Sequence, residues 1–271
     1  MLFCCPKCKG ALEERGGSAV CALGHSYDKS KYGYYNLLLG ASGGTHGDNR
    51  EMIAARSAFL SGGHYYPLAE AVRDTALLLT EGNGVPTVLD CGAGEGYYTD
   101  VIERALYERD GESAVYAFDI SKDAARAVRR RNPRVHTAVF GSYSMPVPTG
   151  SVTLAVNMFS PNAKEEIHRV LKTGGVYIMV IPEREHLFEL KAELYETPYK
   201  NEVEDTAMEG FELLREQRVS YKMELDGGEI GSLFAMTPYA YRTSREGRDK
   251  LCELSHLSVT ADFLILAYRR L

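Results

Sequence analysis

Two clusters in this 271-residue sequence have the residue types and spacing to do chemistry. The first is "VLDCGAGEGYY", residues 88–98, where Gly92, Gly94 and Gly96 follow a short apolar run and precede a helix-like one. Glycines there tolerate positive φ and let a ligand reach the backbone, while the helix start offers free N–H groups. A dinucleotide fingerprint beginning at Gly92 needs glycine or alanine at position 97, and Tyr97 stands there. Asp90, just before the turn, would repel a pyrophosphate and favour a cation, so the turn suits the methionine end of S-adenosylmethionine better than a nicotinamide dinucleotide. Asp119 closes the next apolar run and can accept from a ribose diol; its plainer alternative is the N-cap of the following helix.

The second cluster is "FCCPKCKGALEERGGSAVCALGH", residues 3–25. Cys5, Cys8, Cys21 and His25 supply three thiolates and an imidazole, the donor set of a closed tetrahedral Zn2+ site. Two residues between Cys5 and Cys8 let both sulfurs meet one ion from a single turn, although Cys4 is an alternative to Cys5. Four protein ligands leave no open position for water, so the metal is read as structural, the staple of a segment too short to build its own core. Cys91 and Cys252 stand alone and read as core residues.

The elements that must position these residues follow from the pattern. Residues 1–40 have no helical period and read as a compact zinc module, and "GASGGTHGDN" (40–49) has linker composition. Residues 41–85 hold that linker and two helices, the first capped by Asn49 and closed by Gly62 and Gly63, the second with Pro67 in its first turn. From residue 86 to 271, strand and helix patterns alternate, which predicts an α/β domain with a mostly parallel sheet covered by helices on both faces. "ELLREQRVSYKMEL" and "SVTADFLILAYRR" add late strands, suited to an antiparallel edge, with a helical pair between them.

Composition narrows the class. With 45% hydrophobic and 25% charged residues the chain has the makeup of a soluble globular protein, and no apolar run is long enough for a membrane span. The expected compartment is the cytoplasm, where clustered thiols bind metal rather than pair. A net charge of −6 excludes a uniformly basic polyanion binder. Local basic runs remain, notably Lys7, Lys9, Lys29 and Lys31 in the first module and "KDAARAVRRRNPR" at 122–134, whose ordinary reading is the solvated face and C-terminal end of a helix.

"VLDCGAGEGYYT", "AFDIS", "GSYSMPVPTGSVTLAV" and "EIHRVLKTGGVYIMVIP" resemble successive motifs of a class I S-adenosylmethionine-dependent methyltransferase. Joined to the cysteines, "KYGYYNLL", "EMIAARSAFLSGGHYYPL", "REHLFELK" and "AMTPYAYR", the chain resembles the bacterial 23S rRNA guanine-N1 methyltransferases along nearly its whole length. The resemblance implies a Rossmann-like fold with a seven-stranded sheet, and methyl transfer to N1 of a guanine in a 23S rRNA hairpin near the peptide exit tunnel. It implies donor contacts from Tyr65, Glu95, Gly96 and His186, general class I roles for Asp90, Gly92, Gly94 and Asp119, the adenine near residues 141–143, and a homodimer.

Neutral guanine carries a proton on N1, so a base must remove it. "NMFSP" (157–161) lacks the Pro-Pro-aromatic run common in enzymes that methylate exocyclic amines, in keeping with a ring nitrogen target. The candidates are Phe159 to stack on the base, Asn157 to bond its edge, and Glu183 or Glu185 as the base; the catalytic residue is left open. A target guanine must be unstacked, and Tyr27, Tyr32, Tyr34 and Tyr35 are candidates to hold exposed bases. Competing readings are a methyltransferase for a small molecule or protein, and a non-catalytic zinc-dependent RNA-binding protein.

Overall fold

The computed structural model describes residues 1–39, 47–82, 84–202, 205–241 and 243–271. Most of the expected linker, residues 40–46, lies outside the described residues. The N-terminal segment forms a three-stranded antiparallel sheet of β1 (Leu12–Arg15), β2 (Ser18–Cys21) and β3 (Ser26–Asp28), then a two-residue strand β4 (Tyr35–Asn36). Helices α1 (Arg50–Ser61) and α2 (Tyr66–Thr80) follow. Asn49 caps α1 by accepting from the Met52 N–H at 3.0 Å, as its position predicts, and Pro67 occupies the first turn of α2.

The alternating region gives β5 (Thr87–Cys91), α3 (Tyr97–Asp110), β6 (Ala114–Asp119), α4 (Lys122–Arg131), β7 (His136–Val139), β8 (Val152–Met158), α5 (Lys164–Val170), β9 (Leu171–Pro182) and α6 (Phe188–Leu194). The tail supplies β10 (Phe211–Asp226), α7 (Gly227–Ala235), a 3-10 turn at Pro238–Tyr241, α8 (Arg245–Cys252) and β11 (His256–Arg270). The large sheet has the order β10-β11-β9-β8-β5-β6-β7-β4. β11 runs antiparallel to both β9 and β10, which is the antiparallel edge the late strands suggest. Seven of the strands are those expected; the eighth is β4, which pairs parallel with β7 and carries the sheet into the N-terminal module.

Successive residues of each central strand feed opposite faces. Val88 and Leu154 enter one core, while Leu89 and Ala155 enter the other. Helices α1 to α4 and α6 to α8 send buried residues to the first core; α5 and the zinc module cover the second. Phe3 packs edge-on against Tyr116 and Phe140 at 5.5 and 5.6 Å between centroids, so the module substitutes for a helix over that face. Cys91 is buried as expected, but Cys252 is exposed at the end of α8, because its helix packs through Gly247 and Leu251 instead.

Candidate donor cavity and metal centre

From β5 the chain moves outward to β6 and β7 and then crosses back to β8. The gap between β5 and β8 is the switch point where open α/β sheets bind ligands at their carboxyl ends. A cavity of about 770 Å³ lies there. Its floor begins at the glycine turn, where the N–H groups of Gly92 and Ala93 both donate to the Phe118 carbonyl and hold β5 against β6. Asp119 accepts from the Gly94 N–H at 3.0 Å and the Ser121 N–H at 2.8 Å, so it fixes the turn while lining the cavity. Ser121, not Asp119, is the N-cap of α4, which removes the plainer reading of Asp119.

Two acidic oxygens on the cavity wall are buried with no hydrogen-bond partner among the described residues: Asp90 Oδ1 and Glu95 Oε1. The other Asp90 oxygen accepts from Thr99 Oγ1 at 2.5 Å. The other Glu95 oxygen accepts from Arg131 Nε at 2.8 Å. Burial raises both carboxyls, Asp90 to about 6. Orphaned buried acceptors are costly unless a ligand meets them. The chemistry of this wall, with Asp90, Glu95 and Asp119 lining it, fits a cationic, polyhydroxylated donor of the size of S-adenosylmethionine.

Asp90 thereby sets a pH dependence. Its folded value lies above that of an ordinary carboxyl, so ionising it in the empty cavity costs stability; the penalty is absent below about pH 4 and complete above about pH 6. The cationic donor favours the ionised form, so donor affinity is expected to fall as pH drops through about 6, approaching tenfold per unit. Calorimetric titration with S-adenosylhomocysteine, whose ammonium remains, measures it between pH 5 and 7.5. Asp90→Asn should bind weakly and flatten the profile while raising thermal stability at pH 7.5; an unaltered profile would assign the titration elsewhere.

Tyr65 and His186 meet on the far wall. The Asp262 N–H donates to His186 Nδ1 at 3.3 Å, which leaves Nε2 as the protonated nitrogen, 3.5 Å from the Tyr65 hydroxyl. Burial pushes His186 down to about 3, so the ring stays neutral at ordinary pH. Tyr65, with its own titration pushed up by burial, accepts from His186 and keeps its hydroxyl hydrogen to donate. Asp262 is buried and receives a bidentate Arg218 at 2.8 Å to each oxygen.

At the end of β8, Asn157 Oδ1 accepts from the Ser160 N–H at 3.0 Å, and its Nδ2 donates to the Pro161 carbonyl at 3.2 Å. Those bonds make Asn157 a builder of the turn while it also lines the cavity. The product of the turn is Phe159, at φ +59° and 43% exposed at the cavity mouth. A non-glycine residue at positive φ is strained by about 1–3 kcal/mol, and such strain gathers at functional sites.

Three candidates do not line the cavity. Gly96 caps α3 at φ +84°, where an added Cβ would sit 3.0 Å from Val128 Cα; it serves the approach of α3 to α4. Glu185 pairs with Lys200 at 2.6 Å, and Glu183 lies in the turn before His186, its N–H bonded to the Asp262 carbonyl. Neither glutamate is placed to take a proton from a base in the cavity. Pattern reading also missed Arg56, which pairs with Asp48 and reaches the Met236 carbonyl across the glycine turn. Nothing local marks it, because its partners come from segments far apart in sequence.

In the N-terminal module, Cys5, Cys8, Cys21 and His25 bring their ligand atoms within 4.8 Å of one another. Cys8 Sγ lies 3.6 Å from Cys21 Sγ, and His25 Nδ1 lies 3.5 Å from Cys5 Sγ and 3.4 Å from Cys21 Sγ. Zn–S arms of about 2.3 Å give tetrahedral S···S edges of roughly 3.8 Å, so the set fits zinc. Cys4 is left out: it is buried, and its N–H donates to the Pro146 carbonyl. Tyr27 places its hydroxyl 3.3 Å from Cys5 Sγ, beside the metal ligands, and Tyr35 is buried in β4, so Tyr35 is not free to stack on a base.

Residues 88–175 match the family model described as Methyltransferase domain, and residues 3–39 match the model described as RlmA, N-terminal, a zinc ribbon. The 23S rRNA (guanine(748)-N(1))-methyltransferase of Streptomyces fradiae is 32% identical over 243 residues, covering 88% of this chain and 85% of that protein. Relatives from Micromonospora griseorubida (33% identity, 88% of this chain and 86% of theirs) and Bacillus subtilis (29%, 98% and 96%) align comparably. Among solved structures, the YcgJ protein of Bacillus subtilis superposes with a TM-score of 0.50 at 16% identity, over 76% of this chain and 99% of that one, a likeness of fold.

Proposed function

Because the chain belongs to the 23S rRNA (guanine-N1-)-methyltransferase family, we propose that it transfers the methyl group of S-adenosylmethionine to N1 of a guanine in a 23S rRNA hairpin near the peptide exit tunnel. The observation that carries this reading is a single cavity with two unlike halves: buried acids at the glycine turn and, at its mouth, the exposed ring of Phe159. The bound donor supplies a methyl group on a sulfonium sulfur. Asp90, Glu95 and Asp119 hold its charged and ribose portions, Gly92 and Gly94 admit it to the backbone, and Tyr65, fixed by neutral His186, donates to it. Phe159 stacks on the flipped guanine and sets N1 in line with the methyl carbon, which is most of what a displacement asks of an enzyme.

The zinc module grips the hairpin. Its closed ligand set leaves no open position for catalysis, which supports a role in recognition, with Lys7 and Lys9 on the metal turn. The substrate places the protein in the cytoplasm; among the described residues no helix is long and apolar enough to cross a membrane. A second copy of the chain, as the resemblance implies, would widen the groove offered to the RNA.

The test is incubation with donor and unmodified 23S rRNA, followed by primer extension, which N1 methylation blocks. A donor-dependent stop at one guanine is expected. With Phe159→Ala the stop should weaken by about 100-fold in rate while donor binding persists. Absence of any stop with folded, donor-binding protein would favour the small-molecule or non-catalytic readings.

A further inference from the structure

The run "KDAARAVRRRNPR" is not uniformly solvated. Arg131 turns inward to Glu95, and Arg129 donates to the Pro133 and Val135 carbonyls. Both are structural. Lys122, Arg126 and Arg130 point outward, and the spacing i, i+4, i+8 places them in one row about 12 Å long on α4. Ala124, Ala125 and Val128 occupy the opposite, buried face. Asp123 is the one acid on the helix, and no ion pair is formed with Lys122 or Arg130 among the described residues.

The row starts at the cavity and passes the zinc module at its middle residue. Lys122 follows Ser121, whose hydroxyl bonds the Asp48 carbonyl at the rim of the donor cavity. Farther along the helix, the Arg126 guanidinium lies over the Tyr32 ring, 4.1 Å from its centroid, with the Lys31 ammonium 5.2 Å from the same ring. Tyr32 is 38% exposed and belongs to the zinc module. Exposed cations that form no ion pair among the described residues, joined to a partly exposed aromatic ring, are the elements of a single-strand track: charges for phosphates and a ring for a base. In a chain of net charge −6, such a row is a local exception, not part of a basic surface.

We propose that Lys122, Arg126 and Arg130, with Tyr32 and Lys31, form a track for the RNA backbone that runs from the zinc module along α4 to the donor cavity. This deepens the reading of the chain as an rRNA methyltransferase and rests on it. The occupant is single-stranded or loop RNA, because a row on one helix beside one ring matches phosphates and an unstacked base, not the paired edges of a duplex.

The experiment is fluorescence anisotropy of a labelled 23S rRNA hairpin transcript, titrated with the full chain at several salt concentrations. Lys122→Gln/Arg126→Gln/Arg130→Gln should weaken binding 10- to 100-fold near 0.1 M salt and flatten the slope of log K against log salt by about 2–3. Tyr32→Ala should cost about tenfold with little change in slope. A control of equal charge change, Lys172→Gln/Arg215→Gln/Arg245→Gln, should lower affinity much less. Donor affinity and zinc content should match wild type in every variant, which separates this effect from misfolding. If the wild type binds and methylates the hairpin and the α4 triple keeps its affinity and slope, or loses no more than the control, the track is refuted and the functional reading stands. If the wild type neither binds nor methylates it, both fall.

Discussion

Gly92→Ala should abolish measurable donor binding, lowering affinity by roughly 100-fold or more, about 2.7 kcal/mol. The backbone at Gly92 sits at φ +77°, and an added Cβ would lie 2.5 Å from Ser160 Cβ and 2.6 Å from its hydroxyl. Ser160 is short and cannot swing clear. Its hydroxyl donates to the Cys91 carbonyl at 2.6 Å and its N–H to Asn157 Oδ1 at 3.0 Å, so displacing it breaks the bonds that tie the end of β5 to the turn carrying Phe159. The strained φ and the overlap together cost about 2–5 kcal/mol of stability. The donor wall and the base platform therefore fail together. Calorimetry with S-adenosylhomocysteine and a thermal melt measure both losses. Adding Ser160→Gly removes the colliding atoms but not the φ strain, so the double variant should recover part of the stability and little of the activity. Near-wild-type binding by Gly92→Ala alone would show that the donor does not lie against this turn.

The glycine turn was legible because its parts are adjacent in sequence: a strand, a carboxylate, three glycines and a helix start specify one local geometry wherever the sheet places it. Asp119 was legible for the same reason, since parallel strands bring their carboxyl ends to one edge. The zinc ligands were legible as two short turns, and only the choice between Cys4 and Cys5 needed coordinates, because both can face the same turn. The pattern "NMFSP" places Asn157 at the cavity but does not say that its side chain also builds the turn through Ser160 and Pro161. Glu183 and Glu185 fell near the right strand end but on a turn pinned against β11 by the Asp262 carbonyl, a partner 79 residues away from Glu183. The division of the α4 arginines was within reach of the sequence. With Ala124 and Val128 on the buried face, Arg131 falls inward at i+3 from Val128, and Arg126 and Arg130 fall outward. The eighth strand was not within reach: β4 is two residues long and exists because the edge of β7 has unpaired backbone groups for it to meet.

Removing the zinc should silence the enzyme on RNA while sparing its donor site, an expected loss of more than 100-fold in rRNA methylation. The same should follow from Cys8→Ser, which leaves three ligands. A module of under 40 residues buries too little to fold without its metal, and a structural zinc supplies on the order of 10 kcal/mol to such a segment. Lys31 and Tyr32 would then lose the scaffold that sets them beside Arg126. The damage should travel one step further than a detachable recognition module predicts. Phe3 and Leu12 belong to the same core cluster as Leu89, Phe118 and Phe140, and β4 extends the main sheet, so the metal-free chain exposes the β7 edge and part of one face. A lowered melting temperature of the catalytic domain is therefore expected together with donor affinity within a few-fold of wild type, because Asp90, Gly92, Glu95 and Asp119 are held by β5, β6, α3 and α4 on their own bonds. Metal analysis, S-adenosylhomocysteine titration and the primer-extension assay on one chelator-treated sample read all three quantities. Full methylation by protein shown to be metal-free would remove the zinc module from substrate recognition; unchanged zinc content in Cys8→Ser would overturn the ligand set.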